Sequence, residues 1–223
     1  MEGVGLLDLV FPRVCLACGE PAAELCSRCR DRLVRIRSPF CERCGYPTAW
    51  PTPRCSQCRG RRIAFAVARS AVLYDPGMRR LVAGWKEHGL RGIAELAADI
   101  VHESVERPRG VVVTFVPPDR DRTLKRGHHP AERLACALAE RWELGVEPLL
   151  SRPKSGRPQR GLAVAGRRRN VAGAFRPVAT VPATVILVDD VYTTGSTANA
   201  ASSALRRGGA RSVSVITLAR VVR

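Results

Sequence analysis

Beyond about residue 62, the hydrophobic positions follow two periodicities that alternate along the chain. Continuous apolar runs predict strands buried on both faces, and apolar residues at helical spacing predict helices. The strand runs are IAFAVARSAVLY, which predicts one strand or a pair, GVVVTFVPP, VILV and SVSVITLARV. The helix runs are PGMRRLVAGWKEHG, GIAELAADIVHESVE, HPAERLACALAERW and STANAASSALRRGGA. This alternation predicts an α/β fold with a doubly wound parallel sheet covered by helices on both faces.

The first 62 residues lack this pattern and are rich in cysteine. Eight of the nine cysteines form four Cys-x-x-Cys knuckles, and two knuckles together complete a tetrahedral zinc site. We therefore predict a small double zinc ribbon over residues 1–62 and a larger α/β domain over residues 63–223. Zinc is expected to be structural, because thiolates fill every coordination position. The predicted zinc ligands are Cys15, Cys18, Cys26, Cys29, Cys41, Cys44, Cys55 and Cys58.

The knuckles could pair sequentially or in a crossed arrangement. The first and third knuckles continue into glycine, as CLACG and CERCG, and each precedes a glycine-free knuckle. This internal repeat favours the sequential pairing, first knuckle with second and third with fourth. A thioredoxin-like redox pair is the competing interpretation, but no βαβ pattern surrounds the motifs. The ninth cysteine, Cys136, lies in a helical pattern and is predicted to be a small buried residue.

The charge balance favours polyanionic partners. Lys and Arg number 37 against 20 Asp and Glu, which gives a net charge of +17 and a pI near 10.8. Nucleic acid and phosphorylated metabolites are such partners. Because only three of the basic residues are lysines, the base composition of the coding sequence is an alternative source of the excess arginine.

Membrane insertion and export are not expected. No apolar run approaches the roughly 18 to 20 residues of a membrane span. The start of the chain lacks the basic segment of a signal peptide, so we expect a cytoplasmic protein with reduced thiols.

Residues 151–175 interrupt the alternation with a segment rich in Arg, Gly and Pro. A loop this long inside a compact domain is usually functional or disordered. Residues 107–170 hold 15 basic and 6 acidic residues, so more than half of the excess charge lies in this part of the chain. One interpretation is a solvated charged face, and the other is a lid that grips an anion.

The stretch VILVDDVYTTGST carries the most specific chemistry. A predicted buried strand ends on Asp189 and Asp190, and a cluster of hydroxyls around Gly195 follows where the next helix begins. Ligands of doubly wound sheets bind at the carboxyl ends of the strands, where a helix N-terminus offers free amides. The acids suit a ribose diol or a bridging magnesium ion, and the hydroxylated turn suits a phosphate.

VILVDDVYTTGST resembles the phosphoribosyl pyrophosphate signature of type I phosphoribosyltransferases over its full length. This resemblance implies that the two aspartates bind the ribose hydroxyls and that residues 193–197 bind the 5-phosphate. Together with the cysteine knuckles and the segments YDPG, VPPDRDRTLKRGHHPAERLA and RRRNVAGAF, it makes the chain similar almost end to end to the competence-related ComF/GntX family. The chain departs from that family at His128-His129-Pro130, where members commonly have Phe-Asn-Gln. Adjacent histidines that lead into a helix are expected to be partly exposed cap residues.

The resemblance implies two hypotheses. The first is a magnesium-dependent phosphoribosyltransferase of unknown acceptor, in which Asp189 and Asp190 stabilise a cationic ribose. The second is an accessory factor that binds single-stranded DNA without turnover, in contact with DNA-uptake or recombination machinery. Low aromatic content, 5% of residues, ranks the metabolite site first. The predicted substrate-binding residues are Val191, Tyr192, Thr193, Thr194, Gly195, Ser196 and Thr197, with Lys86, Arg120, Lys125, Lys154 and Arg168 for the pyrophosphate.

Overall fold

A computed structural model describes residues 14–88, 92–118, 128–153 and 173–222 of the chain. The strands are β1 (Val67–Leu73), β2 (Val112–Phe115), β3 (Gly145–Val146), β4 (Leu150–Ser151), β5 (Arg176–Pro177), β6 (Thr184–Tyr192) and β7 (Ser212–Arg220). The helices are α1 (Ser27–Asp31), α2 (Pro76–His88), α3 (Gly92–Ser104), α4 (Pro130–Trp142) and α5 (Ser196–Arg207).

Five of the strands form one parallel sheet in the order β1-β7-β6-β2-β3. The remaining two, β4 and β5, pair antiparallel with each other. Residues 213–220 of β7 and residues 185–188 of β6 are all buried. Burial on both faces explains why these strands have continuous apolar runs rather than alternating ones.

Helices cover both faces of the sheet. Apolar residues of α2, α3 and α4 pack in one core cluster with Ile186 and Val188 of β6. Apolar residues of α5 pack in another cluster with Val185 and Leu187. Because successive residues of a strand point to opposite faces, the two clusters lie on the two sides of the sheet. The predicted doubly wound α/β fold is confirmed.

The strand order reverses between β2 and β6. The chain leaves β2 through α4 to reach β3 on one side, and it leaves β6 through α5 to reach β7 on the other. Connections that diverge in this way leave a crevice at the carboxyl ends of the two neighbouring strands, and ligands of open α/β sheets bind there. The carboxyl end of β6 carries Asp189 and Asp190.

The chain between the cysteine ribbons lies against the outer edge of the sheet. The amide of Leu73 donates to the carbonyl of Val34 at 2.8 Å, and the amide of Ile36 donates to the carbonyl of Ala71 at 2.8 Å. Arg35 forms an antiparallel bridge with Val72 of β1. This segment satisfies backbone groups that an edge strand would otherwise expose. The domain boundary at residue 62 stays a prediction.

The structure extends one predicted strand, decides one open alternative and corrects one predicted burial. The strand predicted as VILV continues to Tyr192, because Val191 and Tyr192 keep their pairing with β7. The run IAFAVARSAVLY forms a single strand, β1. The prediction that Cys136 is buried is wrong: its position on α4 faces solvent, while the neighbouring Leu134 and Ala135 face the core.

Among the described residues, every helix is too short or too polar to cross a membrane.

Candidate functional site

A cavity of about 360 Å³ lies at the switch point between β2 and β6. Cavities that bind small molecules typically measure about 300–1,000 Å³. The N-termini of α4 and α5 both reach this cavity, and they come from opposite faces of the sheet. Its lining is Lys86, Val116, Pro117, Pro118, His128, His129, Pro130, Ala131, Arg152, Asp189, Asp190, Val191, Thr193 and Thr197.

The two aspartates present carboxylates to this cavity. Asp189 Oδ1 accepts from the amide of Asp190 at 2.9 Å, and Asp190 Oδ1 accepts from the amide of Val191 at 2.7 Å. Lys86, in the last turn of α2, forms an ion pair with Asp190. Burial and the negative charge of Asp190 raise the pKa of Asp189 well above its ordinary value. Lys86 therefore pairs with Asp190, and its charge also partly opposes the rise in the pKa of Asp189.

This donor set fits a ribose diol or a magnesium ion. Magnesium is commonly held by one or two carboxylates together with substrate phosphates. Asp189 and Asp190 would supply those protein oxygens, and the metal would neutralise charge on a bound pyrophosphate.

A hydroxyl loop, residues 193–197, leads from β6 into α5 and includes the first two residues of that helix. Thr194 Oγ1 lies 2.9 Å from Ser196 Oγ, and the first helical turn closes with the Asn199 amide bonded to the Gly195 carbonyl at 2.9 Å. Gly195 has φ +71°, which favours glycine. A Cβ at this position would also collide with the Tyr192 hydroxyl, so both the backbone conformation and the packing require glycine. Amides in the first turn of a helix lack carbonyl partners and suit an anion.

The predicted substrate residues divide into four groups. Lys86, Val191, Thr193 and Thr197 line the cavity with the two aspartates, whereas Tyr192 is buried beneath the hydroxyl loop and supports Gly195. Thr194 and Gly195 lie in the bend of that loop, and Ser196 is the first residue of α5. Four predicted cations lie outside the described residues, namely Arg120, Lys125, Lys154 and Arg168.

The structure adds cavity residues that the sequence analysis did not select. Arg152 lines the cavity, and its guanidinium lies 5.6 Å from the centre of the Phe175 ring. Its position at the start of the Arg-rich segment, two residues before Lys154, is the signal that would have identified it.

His128 and His129 also line the cavity, and they immediately precede the first residue of α4. His128 Nε2 lies 2.8 Å from the Trp85 carbonyl, and the His129 ring packs edge-on against Phe115. His129 occupies the N-cap position, as predicted, although its side chain makes no capping bond. Burial lowers the pKa of His129, and nearby Glu132 partly opposes this effect.

The eight knuckle cysteines form two sets of four, with the sulfurs of each set within 4.8 Å of one another. The first site contains Cys15, Cys18, Cys26 and Cys29, and the second site contains Cys41, Cys44, Cys55 and Cys58. The sequential pairing of the knuckles is confirmed.

The geometry of both sites fits tetrahedral zinc. Zn–S bonds of about 2.3 Å place sulfurs about 3.8 Å apart in a tetrahedron. The Sγ–Sγ separations are 3.9 Å for Cys18 and Cys26, 3.6 Å for Cys44 and Cys55 and 4.0 Å for Cys41 and Cys58.

Backbone amides also stabilise thiolate at both sites. Burial raises the pKa of Cys15, but amide hydrogen bonds outweigh this effect and lower the pKa to about 6. The same competition lowers the pKa of Cys41 to about 7.

The two sites repeat one backbone pattern. In the first, the Gly19 amide donates to the Cys15 carbonyl at 2.7 Å, and in the second the Gly45 amide donates to the Cys41 carbonyl at 2.8 Å. Both glycines have positive φ, +83° and +70°, as a tight turn around a metal requires. The glycine that follows the first and third knuckles is therefore part of the metal-binding turn.

A parallel doubly wound sheet with an acidic strand end, a hydroxyl loop and two four-cysteine sites defines an α/β protein with a double zinc ribbon. The double zinc ribbon domain family matches residues 6–60. The glutamine phosphoribosylpyrophosphate (PRPP) amidotransferase of B. subtilis is 25% identical, with a TM-score of 0.37 over 56% of this chain. The chain spans 25% of that structure, and a TM-score this low does not establish a common fold.

Whole-chain relatives identify the family. DNA utilization protein YhgH of Salmonella typhimurium is 31% identical, with 96% of this chain and 100% of the relative covered. Competence protein F of Haemophilus influenzae is 27% identical, with 88% and 90% covered. Competence protein ComFC of Streptococcus pneumoniae is 25% identical, with 88% and 87% covered. The chain belongs to the ComF/GntX family of these competence and DNA utilization proteins, as the motifs predicted.

Proposed function

We propose that this protein binds phosphoribosyl pyrophosphate with magnesium at the cavity between β2 and β6 and transfers the phosphoribosyl group to an acceptor. One observation carries the proposal: Asp189, Asp190 and the hydroxyl loop face a single cavity at the switch point of a doubly wound sheet. The names of the relatives support a place for this activity in DNA uptake or use.

The described residues suggest how the ligand would lie. The 5-phosphate would occupy the hydroxyl loop at the start of α5, where free amides favour an anion. The ribose diol would contact the carboxylates of Asp189 and Asp190. Lys86 and Arg152 lie on the same cavity and would face the pyrophosphate.

In the reaction, the acceptor forms a bond to the anomeric carbon while the bond to the pyrophosphate oxygen breaks. The electron pair leaves with pyrophosphate, and positive charge develops on the ribose ring. Carboxylates beside the ring stabilise that charge, and cations around the pyrophosphate stabilise the leaving group. A cation bound beside Asp189 would oppose the rise in its pKa that burial and Asp190 cause.

Calorimetric titration with phosphoribosyl pyrophosphate and magnesium tests the proposal. We expect a dissociation constant on the order of micromolar. The double substitution Asp189→Asn and Asp190→Asn should abolish binding without unfolding the chain. As a matched control, Glu106→Gln with Glu147→Gln removes two exposed carboxylates outside the cavity and should leave the affinity unchanged. Equal affinity for wild type and the Asp189/Asp190 variant would refute the site.

The second candidate function is binding of single-stranded DNA on the surface of the second cysteine site. Trp50 is 71% exposed there and shares a surface cavity with Tyr46, Arg54 and Arg59. Residues 45–62 contain four arginines and no acidic residue. An exposed aromatic ring suits base stacking, and arginines without acidic neighbours suit phosphates.

Fluorescence anisotropy with a labelled single-stranded oligonucleotide tests this second function. Trp50→Ala should weaken binding about tenfold, since stacking of one base contributes about 1–3 kcal/mol. Trp50→Phe keeps a ring and should retain most of the affinity. Loss of binding with added salt should be steep for the wild type. Equal affinity of wild type and Trp50→Ala would exclude this surface. Equal affinity of the wild type for single-stranded and duplex DNA would exclude base stacking as the basis of binding.

A further inference from the structure

Arg220 joins the second cysteine site to the strand that carries the acids. It is the last residue of β7, and it is only 2% exposed although it is charged. Its Nη1 donates to the Cys44 carbonyl at 2.6 Å, and its Nη2 lies 3.5 Å from Cys44 Sγ. A guanidinium is costly to bury unless it is paired, and four thiolates around a divalent ion carry a net negative charge that pairs with it.

The other face of the same guanidinium contacts Tyr192. Arg220 Cζ lies 4.2 Å from the centre of the Tyr192 ring, a cation–π distance. Tyr192 is the residue immediately before the hydroxyl loop, and its hydroxyl lies beneath Gly195. Burial raises the pKa of Tyr192 to about 12, so its hydroxyl stays protonated. One buried side chain therefore lies between a zinc ligand and the residue that supports the loop.

A second contact joins the same two regions. Arg61 Nη1 donates to the Thr194 carbonyl at 3.0 Å and to the Gln57 carbonyl at 3.3 Å. Gln57 lies inside the fourth knuckle, between Cys55 and Cys58. Further along, the Ala64 amide donates to Asn199 Oδ1 in the first turn of α5 at 2.7 Å. The third knuckle thus reaches Tyr192 through Arg220, and the fourth knuckle reaches Thr194 through Arg61.

We propose that Arg220 is a positioning residue that couples the second cysteine site to the hydroxyl loop, so that metal in that site and an anionic ligand in the loop stabilise each other. The metal fixes the third knuckle, the knuckle presents the Cys44 carbonyl, and Arg220 then holds Tyr192 under Gly195. The inference rests on the proposed function, because phosphoribosyl pyrophosphate is the ligand that would fill the loop.

The coupling should be specific to the second site. The first site also has an arginine bonded to a knuckle carbonyl, Arg80 to Ala17, but Arg80 extends from α2 and not from the sheet beside the loop. Because linkage is reciprocal, a ligand whose affinity depends on the metal must also tighten binding of that metal by the same factor.

Zinc transfer from the full-length protein to a chromogenic chelator measures this coupling. Titration of the wild type with phosphoribosyl pyrophosphate and magnesium comes first, and absence of binding would overturn the proposed function and this inference with it. If phosphoribosyl pyrophosphate binds, a saturating concentration of it should lower the equilibrium transfer of zinc from the second cysteine site about fivefold or more. A change of this size is typical of allosteric coupling. Transfer of the zinc ion from the first cysteine site should be unaffected. Ligand that binds without changing the transfer of either ion would overturn the coupling and leave the proposed function intact.

Two arginine variants identify the residue responsible. Arg220→Met should weaken ligand binding about tenfold and remove the effect of the ligand on zinc transfer, while Arg220→Lys should restore part of both. Arg80→Met, the matched control, should retain the ligand affinity and the ligand effect. An Arg220→Met variant that folds and keeps the ligand effect would exclude Arg220 as the positioning residue. If Arg220→Met does not fold, the wild-type measurement and Arg220→Lys decide the question.

Discussion

The two cysteine sites share one local motif but have different surroundings. In the first site Cys15 is buried, Cys18 is exposed and the other two ligands are half-buried, whereas all four ligands of the second site are buried. The first site contacts α2, because Arg80 of that helix donates to the Ala17 carbonyl. The second contacts β7 and the hydroxyl loop through Arg220 and Arg61. The motif therefore determines how metal is held, and the neighbours determine what the metal can influence.

The polar contacts of the two regions also differ in kind. Near the first site, Glu103 pairs with Arg30 at 2.5 Å and with Arg35 at 2.9 Å, and the carboxylate is 43% exposed. Solvent-exposed pairs of this type contribute little to stability. Arg220, by contrast, is buried, so loss of its partners leaves a charge away from water.

The largest expected effect comes from removing one ligand of each site. Cys44→Ser should release the metal that fixes the contacts of Arg220, and breaking a buried charged contact costs about 3–5 kcal/mol. Cys18→Ser removes the exposed ligand of the first site and should cost less. Thermal unfolding with zinc quantification measures both, and phosphoribosyl pyrophosphate affinity should fall only for Cys44→Ser. Equal losses in the two variants would remove the distinction between the sites.

A smaller effect is expected from the loop side of the same contact. Gly195→Ala forces a side chain into positive φ and against Tyr192, which costs about 1–3 kcal/mol of backbone strain. Ligand affinity should fall more than tenfold, because Tyr192 and the first turn of α5 must shift. Gly145→Ala is the matched control, since a Cβ there meets open space. Unchanged affinity of Gly195→Ala in titration calorimetry would show that the bend does not hold the ligand.

The smallest effect should come from the exposed pairs beside the first site. Glu103→Gln removes the partner of Arg30 and Arg35 and should cost less than about 1 kcal/mol in chemical denaturation. Neither ligand affinity nor the ligand effect on zinc transfer should change. A large loss of affinity here would mean that the first ribbon also acts on the cavity.

Local patterns in the sequence determined most of the secondary structure and both metal sites. Strand burial on two faces, helix periodicity and Cys-x-x-Cys spacing each depend on residues a few positions apart. These patterns can therefore be read directly from the sequence. The glycine repeat even determined the pairing of the knuckles, because the same turn recurs at Gly19 and Gly45. The stretch of residues 185–197 likewise combined its strand, acids and helix start within one short segment.

Only the tertiary structure decided which distant residues meet. Cys44 and Arg220 are 176 positions apart, and their contact exists because β7 lies beside β6 and ends against the second ribbon. Arg152 and Lys86 reach the cavity of Asp190 for the same kind of reason. The exposure of Cys136 depends on which side of α4 packs on the sheet, and a small residue in an alanine-rich helix leaves that side undetermined. Spacing describes one element at a time, whereas burial and ion pairing depend on how the elements pack together.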